Sequence, residues 1–214
     1  MICVQCGHQI DSLFVQYSPG NIRLIKCDKC KAIADDYIEC EFMILFIDLI
    51  LHKHKAYRHL LYNCPNLYSQ GLFWKSGILY LLLDTSRRIK GELGFSPWVL
   101  FHVFFGNLMF ISLLLVATKT FLNSSSKTTS YKDVFQAILV SSYLYIFLLP
   151  MMVWKFPYSV LFIVDIIVLS SNAVAFKVVT ESTMTRCIWT CFSAHVLKFW
   201  ASRMREFPLL GAFY

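Results

Sequence analysis

The chain has 214 residues, of which 57% are hydrophobic and only 15% charged, against the roughly 25% charged residues of soluble globules. That deficit argues against an ordinary water-soluble domain and points to lipid as part of the solvent. The formal net charge of +7 would suggest nucleic acid in a soluble chain; here it fits basic residues flanking spans on the cytosolic side, and no nucleic-acid partner is expected.

Residues 1–40 read as a small β module built on two knuckles, Cys3-Val-Gln-Cys6 and Cys27-Asp-Lys-Cys30. This is the spacing of a four-thiolate zinc ribbon, in which each knuckle offers two sulfurs from one tight turn. Ser12–Tyr17 and Asn21–Lys26 are β-branched and aromatic-rich runs separated by Ser18-Pro19-Gly20, a hairpin signal that brings the second knuckle back to the first. Gly7 supplies the backbone freedom the first turn requires. The start runs into the first knuckle without a basic segment or apolar core of a signal peptide, so the module is expected in the cytosol with reduced thiols. Two disulfides or a redox pair are the alternative reading. Four thiolates leave no open coordination position, so Zn2+ on Cys3, Cys6, Cys27 and Cys30 would be structural and not catalytic.

Residues 41–92 form the second predicted segment. The stretch 41–63 reads as helical, with Glu41, Asp48, His52, Lys55, His59 and Tyr62 near one line of the helix. Its apolar block, Phe42–Leu51, is too short to span, and His52-Lys53-His54-Lys55 follows at once; an interfacial helix, or a helix packed on the ribbon, fits this pattern. The polar line suggests a headgroup-facing stripe before it suggests a metal or proton-transfer site. Leu72–Leu83, with Lys75 inside and Arg87, Arg88 and Lys90 after it, is a second stretch of the interfacial or re-entrant kind.

Residues 93–214 make up the predicted helical membrane domain. Three runs are long enough to cross the roughly 30 Å of hydrocarbon: 98–117 after Pro97, 134–154 with Pro150 near its end, and 158–176 after Pro157. The fourth candidate, 187–201, contains His195 and Lys198 and reads either as a short span or as an amphipathic surface helix. With a cytosolic ribbon, four spans return Arg203 and Arg205 to the cytosol, as the positive-inside tendency favours. Asn123-Ser124-Ser125 is a glycosylation sequon in the loop between the first two spans.

Few other residues suggest chemistry. Tyr158, Asp165 and Asn172 share a face of the third span, and Asp165 falls near mid-bilayer, with His102 or Asn107 as expected partners in a structural hydrogen bond or a ligand site. His8 reads as a neighbour of a thiolate or a surface residue. Cys40, Cys64, Cys187 and Cys191 share no ligand spacing with the ribbon, so Cys27→Ser is expected to unfold the ribbon and Cys64→Ser to be neutral. No nucleophile motif, phosphate loop or open metal site is present, and the chain does not read as an enzyme.

The run Cys3-x-x-Cys6-Gly7, Leu13-Phe14-Val15-Gln16-Tyr17-Ser18 and Cys27-x-x-Cys30, followed by Asp36-Tyr37-Ile38-Glu39, Phe46-Ile47-Asp48 and Ala56-Tyr57-Arg58-His59-Leu60-Leu61-Tyr62-Asn63, resembles the homology domain of the Arv family. Thr180-Glu181-Ser182-Thr183-Met184-Thr185-Arg186-Cys187 is similar to plant-type members. The resemblance implies a multi-pass membrane protein of the endoplasmic reticulum with zinc on the four ribbon cysteines. It also implies a role in sterol homeostasis: sterol uptake, trafficking and distribution into membranes, with effects on sphingolipid metabolism and a proposed part in delivering glycosylphosphatidylinositol precursors. The alternative is an adaptor whose ribbon docks onto a lipid or anchor biosynthetic complex; membrane lipids, foremost sterols, and such proteins are the partners implied.

Overall fold

The computed structural model describes residues 1–18, 20–64, 70–89, 97–122, 131–142, 145 and 158–203. It divides into two units, Met1–Phe73 and Trp74–Tyr214.

The first unit holds an antiparallel hairpin of β1 (Phe14–Ser18) and β2 (Asn21–Leu24), paired Phe14 to Leu24 and Gln16 to Ile22, with a bulge between Gln16 and Ser18. Gly20 at φ +85° makes the turn in the left-handed region that favours glycine. A 3-10 turn, Asp36–Ile38, leads to α1 (Phe42–Ile50) and α2 (His54–Arg58), and α2 continues into one widened π turn, His59–Asn63.

The single helix expected over 41–63 is broken. His52 sits at φ +56°, its N–H donates to the Leu49 carbonyl and the Lys53 N–H to the Asp48 carbonyl. These are the paired bonds of a Schellman cap, closed further by the Lys53–Asp48 ion pair at 2.7 Å. The break resets the helical phase, so the predicted polar line dissolves. Asp48 stays at the rim, while His59 turns into the interior.

The second unit contains α3 (Gln70–Ile89, which begins just before the unit boundary), α4 (Pro97–Leu122), α5 (Tyr131–Ser141), α6 (Tyr158–Thr180) and α7 (Met184–Arg203). Pro97 opens α4 where a missing N–H costs nothing. Two of these helices are long and apolar enough to cross a membrane, over Leu100–Thr120 and Phe162–Thr180. Helix α4 packs along α7, and α6 packs on both α5 and α7. Of the expected span 134–154, the first part is helical in α5, and 143–144 and 146–154 lie outside the described residues, as do Pro150, the sequon at Asn123 and Arg205.

Helix α7 covers the candidate 187–201 and is not one of the two helices apolar enough to cross a membrane. Cys187, Thr190, Cys191, Ala194, Lys198 and Ala201 recur at helical spacing and are buried, whereas Trp189, Phe192, Phe199 and Trp200 are exposed. Thr190 and Lys198 face protein and these four aromatic side chains face out, with Arg186 and Ser193 exposed beside them.

Candidate metal centre and its helical cap

The two knuckles are built alike. In the first, the Gly7 N–H donates to the Cys3 carbonyl and the Cys3 N–H to the His8 carbonyl, both at 2.8 Å; in the second, Lys31 donates to Cys27 and Cys27 to the Ala32 carbonyl, again at 2.8 Å. Each turn is closed by a residue in the left-handed region, Gly7 at φ +76° and Lys31 at φ +61°. The knuckles are joined by Val4 N–H to Ala34 O and Ala34 N–H to Ile25 O. Hence the hairpin between them sets the distance at which the sulfurs meet.

All four predicted ligands come together. The Sγ atoms of Cys3, Cys6, Cys27 and Cys30 lie within 4.8 Å of one another, with Cys3–Cys30 at 3.7 Å and Cys6–Cys27 at 3.6 Å. A tetrahedron with metal–sulfur bonds of about 2.3 Å has edges of about 3.8 Å, so the donor set fits a thiolate-bound zinc. All eight cysteines are free thiols, which does not favour the disulfide alternative. Burial pushes the Cys3 thiol up to about 12, while backbone N–H groups of Cys30 and Lys29 outweigh burial and hold Cys27 at about 7. A bound cation overrides such differences, because a coordinating thiol is deprotonated outright. The site is closed, with all four sulfurs turned to one point and no position for a substrate.

The helices at 54–63 grip the first knuckle from two sides. On one, Arg58 Nη1 donates to the Val4 and Gln5 carbonyls at 3.1 and 2.9 Å. On the other, the Asn63 amide pairs with the Ile2 backbone like a strand neighbour: Oδ1 accepts from Ile2 N–H and Nδ2 donates to Ile2 O, both at 2.9 Å. Tyr57, fully buried, donates to the Leu49 carbonyl at 3.3 Å and ties the cap to α1.

At the centre of this cap lies Asp35, with no solvent exposure. Its Oδ1 accepts from Tyr37 N–H at 3.1 Å, capping the 3-10 turn. Its Oδ2 accepts from Asn63 Nδ2 at 2.6 Å and meets His59 Nδ1 at 2.7 Å. Burial works against charge on His59, but Asp35 and Cys64 outweigh it and raise its pKa to about 9. The headgroup-facing reading of His59 is therefore corrected: it is a buried cation paired to a carboxylate. Sequence reasoning missed Asp35, Arg58 and Asn63 as structural partners of the ribbon. The available signal was His, Asn and Arg interleaved with leucines in one short helix, too many hydrogen-bonding groups for a plain apolar cap.

Other singled-out residues separate. His8 is exposed and contributes only its carbonyl. Cys40 is exposed, and Cys187 and Cys191 are buried by helix packing. Asp165 is half-buried, but Asn107, its expected partner, donates instead to Asp84 Oδ2 at 2.8 Å. Asp84 also pairs with Lys198 at 2.9 Å, and the Tyr80 hydroxyl bridges Lys198 and Asn107 at 3.0 and 2.9 Å. A second group joins the buried Ser141 and Asn172 to the half-buried His195, the last two at 3.0 Å.

The sequence profile of the Arv1-like family matches residues 2–176. Two Arabidopsis thaliana proteins are similar over most of their lengths: Protein ARV 1, 49% identical over 95% of this chain and 88% of that protein, and Protein ARV 2, 50% identical over 92% and 91%. The protein arv1 homolog of Dictyostelium discoideum is 31% identical over 88% of each chain. No solved structure matches.

Proposed function

The chain belongs to the Arv1-like family, and from that membership we propose that it is a multi-pass protein of the endoplasmic-reticulum membrane that serves sterol homeostasis. In this reading it promotes sterol uptake, trafficking and distribution into membranes, affects sphingolipid metabolism, and catalyses no reaction. Its zinc ribbon is structural and cytosolic. Helix α7 crosses the bilayer as a further span, with its aromatic face toward lipid and His195 and Lys198 toward protein.

The observation that carries the proposal is the closed four-sulfur set seated on a cap made of the same residues that carry the family resemblance. Arg58, His59 and Asn63 hold the knuckle from behind, which explains why the ribbon and the helical stretch occur as one motif. The test is metal analysis of purified protein, together with sterol distribution in cells in which this chain replaces the resident family member. Cys27→Ser should lose the metal and the rescue together. Equal metal content in both proteins would sink the zinc assignment; full rescue by a metal-free variant would sink its link to sterol handling.

A second reading, the adaptor, is favoured by one feature. Helix α1 buries Leu45 and Leu49 but exposes Phe42, Met43, Ile44 and Ile47, a face suited to the membrane interface or to a partner of the biosynthetic machinery. Co-purification of a lipid-biosynthesis complex that is lost in Ile47→Asp, with metal retained, would favour the adaptor.

A further inference from the structure

The π turn that ends the cap has a chemical consequence. A π turn aligns side chains five residues apart, where an α-helix aligns those three or four apart. Here it brings Cys64 Sγ to 3.1 Å from His59 Nε2, while His59 Nδ1 lies 2.7 Å from the buried Asp35 Oδ2. Asp35 is held in turn by Tyr37 N–H and Asn63 Nδ2. A thiol, an imidazole and a carboxylate in this order are the parts of an activated cysteine nucleophile: the carboxylate fixes the ring, and the ring takes the thiol proton. Cys64 is partly exposed, so an electrophile can reach it.

We propose that Cys64 is an acyl-acceptor site, in which the Cys64–His59–Asp35 relay takes a long-chain acyl group from an acyl-coenzyme A thioester. The Cys64 thiolate attacks the thioester carbonyl and forms a new carbon–sulfur bond. The bond to coenzyme A breaks, and the leaving thiolate takes the proton held on His59 Nε2. Nothing is oxidised or reduced, and the product is one thioester on the chain with free coenzyme A. His59 touches the reacting sulfur; Asp35 is a positioning residue that keeps Nε2 turned toward it.

Three observations favour an acyl thioester over other electrophiles. Thioesters react well with sulfur nucleophiles and poorly with oxygen ones, and this site offers a sulfur 3.1 Å from an imidazole nitrogen. Cys64 directly follows the π turn, ahead in sequence of the unit that contains the candidate spans, and cysteines of membrane proteins are common acceptors of fatty acyl groups. The first unit exposes the apolar face of α1, next to which an acyl chain loses little by leaving water. The groups facing His59 are Asp35, Cys64 and the Tyr37 ring at 5.4 Å, and the pairing with Asp35 and Cys64 keeps it protonated through neutral pH. The inference does not depend on sterol handling, so either can fail alone.

The experiment incubates the full-length protein in vesicles with palmitoyl-coenzyme A and follows intact mass. The expected result is one palmitoyl group per chain, released by neutral hydroxylamine, mapped to Cys64 and missing in Cys64→Ser. His59→Gln should slow the transfer by about 100-fold, the lower end of general acid–base effects, with ribbon metal content as the check on folding. Should that variant lose its metal, iodoacetamide labelling of the wild-type chain at neutral pH decides: Cys64, with an imidazole at 3.1 Å, should be labelled at least about tenfold faster than the more exposed Cys40. Acylation spread equally over Cys40 and Cys64, or equal labelling of the two, would overturn the proposal.

Discussion

Asp35→Asn is the perturbation that best tests whether the cap holds the ribbon. The side chain keeps its shape, but one oxygen becomes an NH2 group, and the negative charge is gone. Tyr37 N–H can still be satisfied, at 3.1 Å from Oδ1. On the other side the new NH2 faces two donors, Asn63 Nδ2 and His59 Nδ1, now at 2.6 and 2.7 Å from Oδ2. With Asp35 at 0% exposure and His59 at 7%, water cannot replace the lost acceptor. Breaking a buried charge pair by removing one partner costs about 3–5 kcal/mol. At about 1.4 kcal/mol per decade, that lowers the folded fraction by about 10²- to 10⁴-fold. In a metal module this small, folding and metal binding are one equilibrium, so the loss appears as weaker zinc affinity. The assay is zinc competition with a chelating dye on detergent-solubilised full-length chain, with the exposed Asp36→Asn as control. Zinc affinity in Asp35→Asn within about threefold of wild type would refute the argument, since a threefold change corresponds to well under 1 kcal/mol.

Gly7 and Lys31 occupy equivalent left-handed positions, so they should respond oppositely. Gly7→Ala should cost about 1–2 kcal/mol from backbone strain, because a Cβ there meets Arg58 only at 3.7 Å; Lys31→Gly should be neutral or stabilising, and chemical unfolding of the loaded chain reads both. The pairing of His59 predicts a pH window. Its folded pKa of about 9 lies above the ordinary 6.5, so its contribution is complete below about 6.5 and is lost as pH rises through 9. At 1.36 kcal/mol per unit this amounts to about 3 kcal/mol, and the stability difference between wild type and His59→Gln should shrink by that order across the window. In the second unit, Asp84→Leu should lower thermal stability in detergent by about 3–5 kcal/mol by stranding Lys198, whereas Asp84→Leu with Lys198→Met should recover most of it.

The four-cysteine cluster was legible in the sequence because its information is local. Two cysteines three apart on a tight turn define a ligand pair whatever surrounds them, and the hairpin between the knuckles announced itself in Ser18-Pro19-Gly20. The cap was not legible, for two reasons. Periodicity carried one helical phase through 41–63, but the Schellman closure at His52 and the π turn at 59–63 each shift that phase, so faces assigned beyond residue 51 rotate. Asp35 gave no signal because it stands in a loop among ordinary acidic neighbours; only tertiary packing distinguishes it from Asp36. The surroundings of Cys64 were hidden for the same reason, since its contacts run through residues 24 and 5 positions apart.

On the proposed reading, helix α7 is a span that hydropathy alone passes over. Lys198, His195 and Arg186 lower its average, yet Lys198 spends its charge on Asp84 and its hydroxyl partner Tyr80, and His195 meets Asn172 and the edge of Phe110 at 4.8 Å between ring centres. A charge buried against its counter-charge no longer opposes insertion as an isolated charge does. The large side chains that the helix leaves exposed include Trp189, Phe192, Phe199 and Trp200. The same logic runs through the first unit, where Asp35, His59 and Asn63 satisfy one another inside and α1 leaves an apolar face outside. In both units, paired polar side chains sit within an otherwise apolar interior while large apolar ones are also left at the surface, and that pairing is how a chain with 15% charged residues can specify one arrangement of its helices.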